Sequence, residues 1–206
     1  MYDIPPKALP PDGAIILLHG WGANGKDLLP LAEALRLPRL RYIALEGKID
    51  APMTGGHGKG WFMFPPTESA TEEINSSRRQ IVAAIDKLTD EGVPAEKIVL
   101  MGFSQGGSMA LNILINSQKK VGAVVVMSGF FLDQESLKQK DNLITETPIF
   151  AGHGTYDNLV PLHLAKESIL SLNDAGFTVE WHEYPCEHRI TVEELQDIRV
   201  FLEKVL

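Results

Sequence analysis

Gly102-Phe103-Ser104-Gln105-Gly106 is the segment of this chain best suited to chemistry. A serine with a glycine two residues away on each side fits a sharp turn from a strand into a helix. Such a turn presents the hydroxyl as a nucleophile. The small flanking residues have a physical reason: bulky side chains beside a strained turn would clash with the adjoining strand and helix. Gly107 and Ser108 extend the small surface where the helix must pack close. The helix start also points free N–H groups at the serine, which favours negative charge there.

A serine hydroxyl is a weak nucleophile. It needs a general base, and the base needs an acid to orient it. Around an elbow of this kind the chain order is Ser, then Asp or Glu, then His. Four histidines follow Ser104: His153, His163, His182 and His188. His188 is the candidate base, because it falls in a loop after a strand pattern and before a helix pattern. His182 falls inside the strand pattern, and His163 at a helix start. His153 precedes Asp157 in one segment and reads as part of that turn. Asp157, just past an apolar strand in Gly152-His153-Gly154-Thr155-Tyr156-Asp157, is the candidate acid, since catalytic groups collect at the carboxyl ends of such strands. Asp133, Glu135 and Asp141 sit in a polar loop, while Glu183 and Glu187 are too near His188 in sequence to come from a separate strand end. His19-Gly20-Trp21-Gly22 follows the first apolar run. A histidine–glycine turn there supplies a backbone oxyanion donor, assigned to the N–H of Trp21, with the N–H of Gln105 as the second. Cys186 lies two residues before His188 and reads as a bystander thiol.

These residues need a frame that holds them at one edge. Ala14–His19, Lys97–Met101, Ala123–Met127 and Pro148–His153 are short apolar runs, the pattern of parallel strands buried on both faces. Thr178–Tyr184 alternates, as a strand nearer the sheet edge does, and Arg41–Leu45 is a weaker candidate. Between them, Asp27–Leu35, Glu72–Thr89, Gln105–Asn116, Leu162–Asp174 and Val192–Lys204 carry apolar residues at helical spacing. Gly92 and Gly176 mark helix ends, Pro161 suits a first turn, and Thr191 with Glu194 reads as a capping box. The expected class is α/β: a mostly parallel central sheet with helices on both faces and no large lid. Glu46–Ser69 and Gly129–Thr145 fit neither pattern, and loops that long are usually functional.

The bulk properties narrow the partners. The 206 residues suit a single domain over 1–206, with enough core to fold alone. A net charge of −8 argues against nucleic acid and anionic membrane surfaces as partners. One cysteine permits no internal disulfide. The N-terminus carries no leader pattern, and no apolar run approaches the ~18 residues that span a bilayer. The expectation is a cytoplasmic protein without integral membrane association. A homodimer is left open.

Taken together, these motifs resemble the phospholipase/carboxylesterase family, which includes acyl-protein thioesterases and small bacterial carboxylesterases. The resemblance rests on Leu18-His19-Gly20-x-Gly22, on Gly102-Phe103-Ser104-Gln105-Gly106-Gly107, and on Gly152-His153-Gly154-x-x-Asp157-x-x-Val160-Pro161. His188 with Glu193-Glu194-Leu195 completes it, so it spans nearly the whole chain. It implies the α/β-hydrolase fold and a triad of Ser104, Asp157 and His188, with no metal or cofactor. It further implies cleavage of carboxylic esters, in some members thioesters, through an acyl-enzyme. Two departures stand out. Trp21 occupies a position that is commonly leucine, and Met53–Pro66 is unlike the thioesterase pattern around its aromatic pair.

The expected substrate is a small acyl ester of short or medium chain. Its walls are expected from Trp61, Phe62, Phe130, Leu132 and Leu159, apolar residues that no core periodicity demands. The alternatives are an acyl-protein thioesterase or lysophospholipase with the same triad, and a non-catalytic binding protein using the same pocket. A dienelactone-hydrolase type would want cysteine at the elbow, which Ser104 disfavours.

Overall fold

The computed structural model describes residues 1–52, 54–132, 137 and 142–206. Its strands are β1 (Tyr2–Ile4), β2 (Gly13–Leu18), β3 (Leu40–Ala44), β4 (Ile49–Asp50), β5 (Lys59–Gly60), β6 (Ile98–Phe103), β7 (Ala123–Met127), β8 (Ile149–Gly154) and β9 (Val179–Tyr184). The helices are α1 (Leu29–Ala34), α2 (Ala70–Asp90), α3 (Gln105–Asn116), α4 (Leu162–Asp174) and α5 (Val192–Val205). Among the described residues, seven strands form one sheet in the order β1-β3-β2-β6-β7-β8-β9. All neighbours pair parallel except β1, which runs antiparallel to β3.

The apolar runs are continuous because both faces of the central strands are covered. Along β2, Ala14, Ile16 and Leu18 face one core, together with Ile81 and Ile85 of α2, Met109 and Ile113 of α3 and Leu172 of α4. Ile15 and Leu17 face the other, with Leu31 of α1 and Ile198, Phe201 and Leu202 of α5. Each such buried aliphatic side chain contributes about 1.5–3 kcal/mol of burial free energy. The alternating strand β9 does lie at the sheet edge, paired only with β8. This layered architecture is an α/β-hydrolase fold.

Several local expectations change. The helix expected over Asp27–Leu35 begins as a 3-10 turn at Gly25–Leu28, because Asn24 caps it early. The Asn24 Oδ1 accepts from the Lys26 N–H at 2.9 Å, and the Asn24 N–H donates to Asp27 Oδ2 at 2.9 Å. The short β1 precedes Pro5 and Pro6 and had no visible alternation, yet it completes the sheet edge against β3. Glu46–Ser69 is not wholly irregular: β4 and β5 pair there as an antiparallel ribbon. Thr191 Oγ1 accepts from the Glu194 N–H at 3.1 Å, as a cap should. Asp133, Glu135 and Asp141, the polar-loop acids, lie outside the described residues, as does Met53. Among the described residues no helix is long and apolar enough to cross a membrane.

Candidate active site

Ser104 stands between the end of β6 and the first residue of α3, at φ +53° and ψ −119°. That left-handed backbone costs of order 1–3 kcal/mol in a non-glycine residue. Its surroundings hold it there. The Ser104 N–H donates to the Met127 carbonyl at 2.8 Å, and the Ser104 carbonyl accepts from Ser108 N–H at 3.0 Å. The flanking glycines permit the close approach. A Cβ on Gly106 would lie 2.0 Å from the Leu18 carbonyl oxygen, and one on Gly102 would lie 2.3 Å from the Gly106 carbonyl. Neither position can carry a side chain while α3 starts against β2.

Asp157 follows β8 in a tight turn, with its carboxylate fully buried. Oδ1 accepts from the N–H groups of Leu159 at 2.9 Å and Val160 at 2.8 Å. Oδ2 lies 2.6 Å from His188 Nδ1. A carboxylate acceptor there fixes the Nδ1–H tautomer and leaves Nε2 as the basic nitrogen. The His188 ring packs against Phe103 at 4.8 Å between centroids, which sets it beside the residue preceding Ser104.

The turn after β8 and the loop carrying His188 are stitched together. Thr155 N–H donates to the Tyr184 carbonyl at 2.8 Å, and Tyr156 N–H to the Cys186 carbonyl at 3.0 Å. Gly154 makes this possible, since a Cβ there would lie 2.5 Å from the carbonyl oxygens of both Cys186 and Glu187. His153 supports the same turn. Its Nε2 donates to the Val160 carbonyl at 2.8 Å, so Nδ1 is the unprotonated nitrogen. Burial pushes its pKa down, and the ring stays a neutral strut beside Asp157.

The turn at residues 19–22 is held by its own set of bonds. The N–H groups of Trp21 and Gln105 donate to no acceptor among the described residues, and both are free to receive negative charge. A Cβ on Gly20 would come 3.4 Å from Ser104 Cβ, which puts the turn against Ser104. His19 is fully buried beneath it. Its Nε2 accepts from the Gly47 N–H at 3.0 Å, leaving Nδ1–H to donate to the Gly20 carbonyl at 2.8 Å. Desolvation depresses its pKa, which keeps that tautomer neutral. Gly22 N–H donates to the Lys59 carbonyl at 2.9 Å, tying the turn to β5.

The expected substrate walls divide. Trp61 is 0% exposed and Phe62 3%, and both belong to the core between the sheet and α2–α3. They were expected to wall the acyl group, and here both are packed inward. The reason is polar. The Trp61 indole N–H donates to the His19 carbonyl, and its backbone N–H to Gln105 Oε1, each at 2.8 Å. Gln105 Nε2 returns the bond to the Phe62 carbonyl at 2.8 Å. Leu132 is half-buried against the same core rather than standing free. Phe130 is also half-buried, its N–H 3.3 Å from Ser108 Oγ. Leu159 is 74% exposed beside Asp157.

Sequence reading missed the bonds of the Gln105 amide and the His19 ring, and the burial of Glu194. For Gln105 a signal existed, since a long polar side chain between glycines at a helix start must find partners. His182 stacks on Phe150 at 5.0 Å and His163 is exposed, and neither takes part. Among the described residues no group of three or more His, Cys, Asp or Glu side chains is arranged to hold a metal ion.

Known proteins resemble this chain over nearly its whole length. The family model described as Phospholipase/Carboxylesterase matches residues 2–206. Acyl-protein thioesterase 1 of Debaryomyces hansenii is 33% identical over 97% of this chain and 94% of its own length. That of Kluyveromyces lactis is 32% identical over 97% and 95%. Among solved structures, a variant of Arabidopsis thaliana SOBER1 superposes with a TM-score of 0.82 at 25% identity, covering 93% of this chain and 98% of that one. Esterase PE8 superposes with a TM-score of 0.87 at 24% identity over 100% and 98%, a likeness of fold. The chain therefore belongs to the phospholipase/carboxylesterase family of α/β-hydrolases.

Proposed function

We propose that this protein is a serine carboxylesterase acting on small acyl esters of short or medium chain, with residues 1–206 as one catalytic domain. The observation that supports it most is the 2.6 Å contact between Asp157 Oδ2 and His188 Nδ1, next to a serine held at positive φ. Ser104 Oγ attacks the ester carbonyl while His188 Nε2 takes its proton. Asp157 holds the imidazole and stabilises the imidazolium. The N–H groups of Trp21 and Gln105 receive the oxyanion, each donor contributing about 10²–10³ in rate. His188 then protonates the leaving alcohol, and the same groups in reverse order hydrolyse the acyl-enzyme with water. Phe130 and the exposed Leu159 are the candidate acyl contacts.

A second reading is thioester cleavage, favoured by the curated relatives named acyl-protein thioesterase 1. The chemistry after attack is shared, so the leaving group and acyl length decide. The test is a panel of p-nitrophenyl esters and acyl thioesters of rising chain length, compared by kcat/KM. The esterase reading expects oxygen esters of short and medium chain to lead. A preference for long acyl thioesters would replace it with the second reading.

A further inference from the structure

The mechanism above makes no use of Glu194, yet among the described residues it is the most deeply buried acid outside the proposed triad, at 1% exposed. It belongs to the first turn of α5, just past the loop carrying His188. Its Oε1 is buried with no hydrogen-bond partner among the described residues. That oxygen sits on the bare backbone of Gly152, where an added Cβ would come within 2.5 Å of it, and the Tyr184 ring closes the other side. Gly152 is therefore a cradle for this carboxyl rather than a turn residue.

Among the described residues, the groups facing Glu194 give it no cation. From β9 comes Tyr184, whose hydroxyl donates instead to Asp197 Oδ2 at 2.8 Å. From the His188 loop comes Cys186, whose thiol points to the Arg189 carbonyl at 3.6 Å. On α5 itself, Asp197 adds negative charge. Arg189 reaches the neighbourhood only as an exposed side chain. The backbone of Thr191 is the one favourable contact to the charged form. An ionised carboxylate in such a place, desolvated and unpaired, is expensive.

We propose that Glu194 is a positioning residue for the triad: as an uncharged carboxylic acid it clamps the 185–191 turn, and with it His188, against the Gly152 end of β8. Ionisation would push the carboxylate away from the cradle and let His188 drift from Asp157. Burial moves this carboxyl in the consistent direction, up to about 8. The inference rests on His188 being the base, as proposed above.

The test is the pH dependence of kcat/KM on p-nitrophenyl butyrate between pH 6 and pH 10, with fluorophosphonate labelling of Ser104 as a second readout. Wild type is expected to lose about tenfold between pH 7 and pH 9 on one ionisation near 8. Glu194→Gln, neutral at every pH, should keep wild-type kcat at pH 7 within about twofold and lose that alkaline limb. Glu194→Ala should lower kcat with KM little changed, and Cys186→Ser should retain the limb. Circular dichroism at pH 9 should show wild type folded. If Glu194→Gln falls with pH as wild type does, or if wild type is globally unfolded at pH 9, the inference is overturned. If Ser104 is not labelled at any pH, the catalytic reading beneath it fails instead.

Discussion

The indole N–H of Trp61 donates to the carbonyl of His19 at 2.8 Å, across 42 positions of sequence. That bond makes the loop after β5 and the turn proposed to hold the oxyanion one mechanical unit. Trp61→Phe keeps an aromatic side chain but removes the donor and part of the buried ring, leaving a buried carbonyl without its partner beside a small void. The expected loss of stability is about 1–3 kcal/mol. Because the Trp21 N–H is then free to swing, kcat should fall about 10–100-fold with KM nearly unchanged. Urea unfolding and steady-state kinetics on a p-nitrophenyl ester measure both. A change in KM alone would mean that Trp61 contacts the acyl group after all.

Gly154 gives a second, purely steric prediction. An alanine there sets its methyl 2.5 Å from the carbonyl oxygens of Cys186 and Glu187, which are backbone and cannot rotate away. The loop must move, and His188 with it. Gly154→Ala should cost about 1–3 kcal/mol of stability and about 10² in kcat/KM. A folded variant with wild-type kcat would show that the loop tolerates the shift.

Asp157 is tested by exchange of an acceptor for a donor. In Asp157→Asn the amide can present its N–H to His188 Nδ1, which favours the wrong tautomer. The expected loss in kcat is about 10⁴, with the fold retained through the Leu159 and Val160 amides on the remaining oxygen. Loss of only a few-fold would remove Asp157 from the orienting role.

Stability should also depend on pH through the two buried histidines. Burial lowers the pKa of both His19 and His153 below the ordinary 6.5. As pH falls below that value the unfolded chain binds protons that the native state refuses, so stability drops. Between pH 7.5 and 5.5 both histidines should therefore cost stability, seen as a lower urea midpoint. His153→Asn should reduce the slope. A midpoint that stays constant or rises over this range would contradict the neutral-strut assignment.

Much of this site was legible in advance because its signals are local. Ser104 sits in a five-residue pattern whose glycines answer contacts within the turn itself. Asp157 and His188 follow strand patterns that deliver them to one edge, and the order along the chain named them. The fold was legible for the same reason in β2, β6, β7 and β8, whose apolar runs are buried on both faces. The burial of Trp61 and Phe62 was not legible, because nothing in their own neighbourhood shows that a hydrogen-bonded Gln105 pulls that loop into the core. Such a bond joins positions 44 and 43 apart, beyond any periodicity. The strand β1 and the ribbon β4–β5 were missed because so few residues carry no period. Glu194 read as a capping residue, which it is at its backbone, while its carboxyl turns inward onto Gly152.

The central claim is that Ser104 is the nucleophile, and a fluorophosphonate probe tests it most directly. Intact-mass and peptide analysis should find a single adduct on Ser104, formed in step with the loss of esterase activity. Ser104→Ala should neither label nor hydrolyse p-nitrophenyl esters above about 10⁻³ of the wild-type rate. An adduct on another residue, or a Ser104→Ala variant that still turns over at the wild-type rate, would contradict the account.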